Sequence, residues 1–178
     1  MTSSPYKKVP PSPEHFSAAN AIAKILDGLG YRYHWASKDL RETDLTYKTS
    51  EGARTTLEVL LHICDLTEGI LKVARQEVII PPFDFSDLSY SQLRDKTLRN
   101  IEEASNIFKA RKDEDLEKMN LILESNGEQT SFPLWNVLVG PVTDTGYHIG
   151  QMVAFRRASG NPMNSNVNAF LGYTIGFE

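Results

Sequence analysis

Asp144 and His148 stand four residues apart, and Gln151 and Phe155 continue the same line. On an α-helix this spacing stacks all four side chains on one face. A carboxylate and an imidazole one turn apart can chelate a divalent cation, or can simply hydrogen-bond to each other. A third ligand separates the two readings. The chain has four histidines, His15, His34, His62 and His148. His62 lies in the apolar run L-E-V-L-L-H-I-C-D-L, whose apolar arc at helical spacing covers Val59, Leu60, Ile63, Leu66, Ile70 and Val73. His62 falls at one edge of that arc, beside Val73 and Leu66, and is either a packed, hydrogen-bonded histidine or a ligand pointing into the protein.

Helix bundles build metal sites from side chains on facing helices. One ligand on the helix of His62 and two on the helix of Asp144 and His148 would make such a site, although periodicity alone does not bring two helices face to face. Three protein ligands leave at least one coordination position open, as in catalytic rather than structural zinc. A cation bound in that way lowers the pKa of water or of a thiol. Two imidazoles and a carboxylate suit Zn²⁺ or Ni²⁺, and also Fe²⁺. Gln151 can orient a ligand or face solvent. His34 and Trp35 can line a pocket mouth or pack in the core. Cys64, the single cysteine, lies around the helix from His62 and reads as a small buried residue. Glu58 is explained as a cap rather than a general base. No G-x-S-x-G, H-E-x-x-H or phosphate-cradling glycine loop is present.

The elements that must carry these residues follow from punctuation and period. Ser12, Pro13 and Glu14 read as a helix start, and Ile22, Ile25, Leu26, Leu29 and Tyr33 keep helical spacing to about Ser37. Thr55 to Glu58 and Ser89 to Gln92 each fit a capping box. A helix follows each, the first to about Val78 and the second through Leu93, Leu98, Ile101, Ala104 and Phe108 to about Arg111. Leu121–Leu123 and Thr130–Phe132 flank Asn126-Gly127 and suggest a small hairpin. The last helix begins near Pro133 or Pro141 and ends before Gly160, with Arg156 and Arg157 set against its own dipole. The expectation is an all-α four-helix bundle with long helices near 13–37, 55–78, 90–111 and 141–159. A loose leader over 1–11 precedes the bundle at 12–163, and an irregular tail over 164–178 follows it.

The order Leu60-Leu61-His62, then Asp144-x3-His148, then Gly150-Gln151, Arg156-Arg157 and Gly160 resembles the DinB/YfiT family. Y-R-Y-H-W-A-S at 31–37, E-G-A-R-T-T-L-E-V-L-L-H-I at 51–63 and W-N-V-L-V-G-P-V at 135–142 extend the resemblance over roughly residues 13 to 163. It implies a metal-binding four-helix bundle with His62 as the ligand on the second helix and His148 as the last residue of a His-x3-His pair on the fourth. Asp144 stands where that pair has its first imidazole, and Ile149 where an arginine commonly follows. A thiol-dependent isomerase branch of the family has a carboxylate at the place of Asp144. The function implied is that of a metal-dependent hydrolase or low-molecular-weight-thiol transferase acting on a small molecule. The alternatives are a non-enzymatic metal- or ligand-binding bundle and a family member without its metal.

Composition bounds the rest. The chain has 178 residues, 40% hydrophobic and 24% charged, the balance of one globular domain rather than a disordered chain. A net charge of −4 argues against a nucleic-acid partner held through phosphates. No apolar run approaches the ~20 residues that span a bilayer, and the N-terminus lacks the apolar segment of a signal peptide. The expected setting is the cytoplasm, and the expected partners are a small-molecule substrate and a second copy of the chain.

Overall fold

The computed structural model describes residues 4–176; Met1 to Ser3 of the expected leader and Phe177 and Glu178 of the expected tail lie outside them. Four long helices dominate: α1 (Ala18–Ala36), α3 (Thr56–Arg75), α4 (Tyr90–Lys109) and α7 (Thr143–Ala158). Short helical turns α2 (Glu42–Leu45), α5 (Asp113–Leu116) and α6 (Leu134–Val137) connect them. The sheets are two-stranded, β1 (Asn120–Ser125) with β2 (Glu128–Pro133) and β3 (Val167–Asn168) with β4 (Tyr173–Thr174). α4 packs against α1 and α3, and α7 packs against the same two helices from the other side.

The caps explain where α3 and α4 begin. Thr55 accepts from the Glu58 amide while the Glu58 carboxylate accepts from the Thr55 amide, and Ser89 and Gln92 repeat the arrangement. α3 stops at Arg75, short of the expected Val78, because Gln76 turns left-handed (φ 60°) and the Glu77 amide bonds back to the Lys72 carbonyl. This releases Ile79 to form a parallel bridge to Leu123 of β1. Asn126 (φ 54°) and Gly127 (φ 80°) make the tight hairpin turn between β1 and β2.

α1 departs from expectation at its start. Its cap is Ser17, not Ser12; the Ser17 hydroxyl accepts from the Asn20 amide, while Asp113 accepts from the amides of Ala18 and Ala19. A carboxylate distant in sequence therefore satisfies first-turn donors that local sequence leaves open. Ile25 is also off the expected stripe and is exposed, whereas Ile22, Leu26, Leu29 and Tyr33 are buried.

The described part of the segment expected as a loose leader packs on α1. Tyr6 is buried and its hydroxyl donates to Asp27, the Trp35 indole donates to the Lys7 carbonyl, and the Val9 amide donates to Gly172. Gly30 permits this docking, since a Cβ there would stand 2.5 Å from the Tyr6 ring. In the tail, β3 and β4 form a minimal hairpin, and the buried Thr174 hydroxyl hydrogen-bonds Tyr31.

One core joins the long helices. Leu26, Leu60, Ile63, Leu98, Ile101, Phe108 and Met152 are all but fully buried, and side chains of this size contribute roughly 1.5–3 kcal/mol each on burial. No helix among the described residues is long and apolar enough to cross a membrane.

Candidate metal centre

The last helical segment starts at Leu134, directly after Pro133, and runs through a π-helical turn at Leu138–Val142 into α7. Pro141 lies inside that turn. It has no amide to donate, and its ring would collide with the preceding turn of a regular α-helix; the wider π turn relieves both. Of the two prolines suggested as its start, Pro133 marks the beginning and Pro141 marks the distortion. The extra residue of the π turn rotates everything after it, and so sets which face of α7 meets α3.

At the far end of α7, Arg156 is buried, and its guanidinium donates to the carbonyls of Trp35 (3.0 Å), Ala36 (3.2 Å) and Lys38 (2.8 Å). These are carbonyls at and just beyond the C-terminus of α1, so Arg156 completes a neighbour's helix end rather than only its own. The burial disfavours its charged form, lowering its pKa, while Tyr90 and Asp44 act in the opposite sense. α7 is thus pinned to α1 at one end and shaped by Pro141 at the other.

Between these points α7 brings Asp144 and His148 against His62 of α3. His62 Nε2 lies 3.2 Å from Asp144 Oδ2, and His148 Nε2 lies 3.5 Å from Asp144 Oδ1. The two imidazole rings meet edge to face with centroids 4.7 Å apart. One ligand atom from each of the three residues lies within 4.8 Å of the others, so the group can hold a metal ion. His62 and Asp144 are partly exposed and His148 is buried.

The partners of His148 test whether the donor set suits a cation. Its Nδ1 donates to Gln151 Oε1 at 2.8 Å. With the proton on Nδ1, a neutral imidazole turns the lone pair of Nε2 toward Asp144. In that tautomer a lone pair and a carboxylate oxygen face each other at 3.5 Å, the donor pair that a divalent cation accepts. The residues fit a divalent metal.

Further side chains border the group. The Tyr147 and His148 rings stand nearly perpendicular, with centroids 5.2 Å apart. Asp65, one turn beyond His62, has its carboxyl pKa raised by burial, against a lowering by the charge of His62. A shallow cleft of about 500 Å³ opens beside Asp144, bounded by Leu66, the π turn and Tyr147. Helical spacing marks Gln151 but not Tyr147 or Asp65. An acid one turn after a ligand histidine is a readable signal for Asp65; nothing in the local pattern marks Tyr147.

The other sequence candidates fall elsewhere. His34 and Trp35 are core residues, Glu58 is the capping-box partner of Thr55 on α3, and Cys64 is buried, which pushes its thiol up to about 11. Ile149 is buried. Compared with known proteins, the chain matches no family model, no curated protein and no solved structure.

Proposed function

We propose that this chain is a divalent-metal-dependent enzyme of the DinB/YfiT-like four-helix type, with His62, Asp144 and His148 as ligands and a small molecule as substrate. The observation that carries this reading is the convergence of two imidazole nitrogens and a carboxylate, from helices far apart in sequence, within 4.8 Å of one another. Three ligands leave a coordination position open, and a divalent cation so held supplies a lowered pKa to water or a small thiol. The chain's own part is to fix the donors: Gln151 sets the tautomer of His148, and Arg156 and Pro141 set the position of α7. Zn²⁺ and Ni²⁺ suit this donor set best, with Fe²⁺ also compatible. Hydrolysis and thiol transfer use the same open position and differ in the nucleophile that occupies it.

Protein stripped with chelator and reloaded with Zn²⁺ or Ni²⁺ should retain close to one ion per chain by elemental analysis. His62→Ala should lower that content as severely as His148→Ala, and Asp144→Ala should weaken it. Asp144→His should preserve or strengthen binding by providing a third imidazole. Retention of the ion by His62→Ala would overturn the three-residue site, because an Asp–His contact confined to α7 has no use for a residue on α3. With loaded protein, turnover of an electrophilic substrate only in the presence of a small thiol identifies transfer, while thiol-independent ester or amide cleavage identifies hydrolysis.

A further inference from the structure

The cleft beside Asp144 is built from the same elements as the donor set. Leu66 lies one turn beyond His62 on α3, Tyr147 directly precedes His148 on α7, and Val139 and Pro141 come from the π turn between α6 and α7. Its volume of about 500 Å³ is in the range of small-molecule sites. Val139 and Tyr147 are both 71% exposed, large apolar side chains left in water at the edge of a polar group. The exposed Thr143 hydroxyl donates back along its own helical segment to the Val139 carbonyl at 2.5 Å. No lysine or arginine among the described residues lines the cleft, and the charged side chain on its wall is the carboxylate of Asp144.

We infer that this cleft is the substrate subsite, and that it takes an uncharged, mainly apolar or aromatic group whose polar end faces Asp144. The polar end rests on the metal reading above; the apolar subsite does not. Leu66, Val139 and Pro141 form an aliphatic wall, and Tyr147 offers a ring face of the kind on which a planar group stacks. An anionic group is disfavoured there, since the Asp144 carboxylate repels it and no lysine or arginine lines the cleft.

Two sets of probes test the subsite apart from the metal. In metal-free protein, 2-naphthol should shift the amide resonances of Leu66, Val139, Gly140, Thr143 and Tyr147. 2-Naphthalenesulfonate, with the same rings and a negative charge, should bind about tenfold more weakly. Tyr147→Ala and Val139→Asp, both at exposed positions, should each weaken 2-naphthol about fivefold or more. In zinc-loaded protein, 2-naphthohydroxamate should bind about tenfold more tightly than acetohydroxamate by titration calorimetry. Absent shifts at these amides, unchanged affinity in both variants, a sulfonate that binds as well as the naphthol, or equal affinity for the two hydroxamates would each overturn the subsite. Protein that takes up no zinc yet binds 2-naphthol at these residues would instead overturn the metal reading and leave the subsite standing.

Discussion

His148 is held at Nδ1 by Gln151, and its Nε2 faces Asp144. An amide oxygen at Nδ1 sets the tautomer and raises the basicity of the opposite nitrogen, and losing such a partner typically costs about 10- to 100-fold in metal affinity. Gln151→Leu should therefore weaken zinc by about that factor in competition with a chromogenic chelator, without moving the far-ultraviolet dichroism. Gln151→Glu, which keeps an acceptor, should retain affinity. Equal affinity in the leucine variant would show that Gln151 does not position the imidazole. The pairing of Asp144 with His148 was legible as a four-residue spacing, because one helical turn brings such side chains together wherever the helix lies. The approach of His62 to Asp144 was not legible in the spacing, where an edge position on an apolar arc suits a packed histidine equally well, and only the family resemblance pointed to it. Cys64 was legible as a buried residue from the neighbours it shares on α3.

At the scale of elements, the two capping boxes acted as local signals and α1 did not. Ser17→Ala should lower stability by about 1 kcal/mol in urea denaturation, whereas Ser12→Ala, at the start that spacing suggests, should leave the midpoint unchanged. The reverse ranking would restore Ser12 as the cap. The reason Ser12 failed is that the first-turn donors of α1 are met partly by Asp113, nearly a hundred residues away, and no window of sequence contains that contact. α7 is hard to read for a related reason. It buries Thr145, His148 and Arg156 beside Ile149, Met152 and Phe155, so its inner face is mixed in polarity and shows no clean apolar stripe. Pro141 announced a break, and the surrounding structure converted that break into a π turn within one continuous helical segment.

Across the whole molecule, the N-terminal segment and His34 make stability depend on pH. His34 is buried, and its Nδ1 donates to the Pro5 carbonyl at 2.8 Å. Burial above all, with the cations of Arg94, Lys38 and Lys7, lowers its pKa from 6.5 to about 4, against the raising effect of the Pro5 carbonyl. Below pH 6.5 the unfolded chain takes up a proton that the folded chain refuses, so stability is full above that pH and falls as the pH drops toward about 4. At about pH 5 the loss from this group is roughly 2 kcal/mol. Urea midpoints at about pH 7.5 and about pH 5 should separate clearly in the native protein and by less in His34→Gln, which carries no titrating ring. Equal separation in the two proteins would remove His34 as the cause. Asp65, whose carboxyl burial raises, is common to both and cancels in the comparison.

The sequence by itself determined the features set by neighbours along the chain. These are the long helices with the starts of α3 and α4, the Asn126-Gly127 hairpin, the apolar faces of α3 and α4, and the shared face of Asp144 and His148. Each depends on backbone hydrogen bonds and side-chain periods that close within a few residues. Only the tertiary structure decided that Tyr6 docks over Gly30, that Asp113 caps α1, that Arg156 closes the end of α1, and that His62 reaches Asp144 across 82 positions. Those contacts depend on the rotation of one helix about its axis relative to another. That rotation follows from packing the whole core and from the one-residue offset of the π turn, and a local pattern carries no record of either.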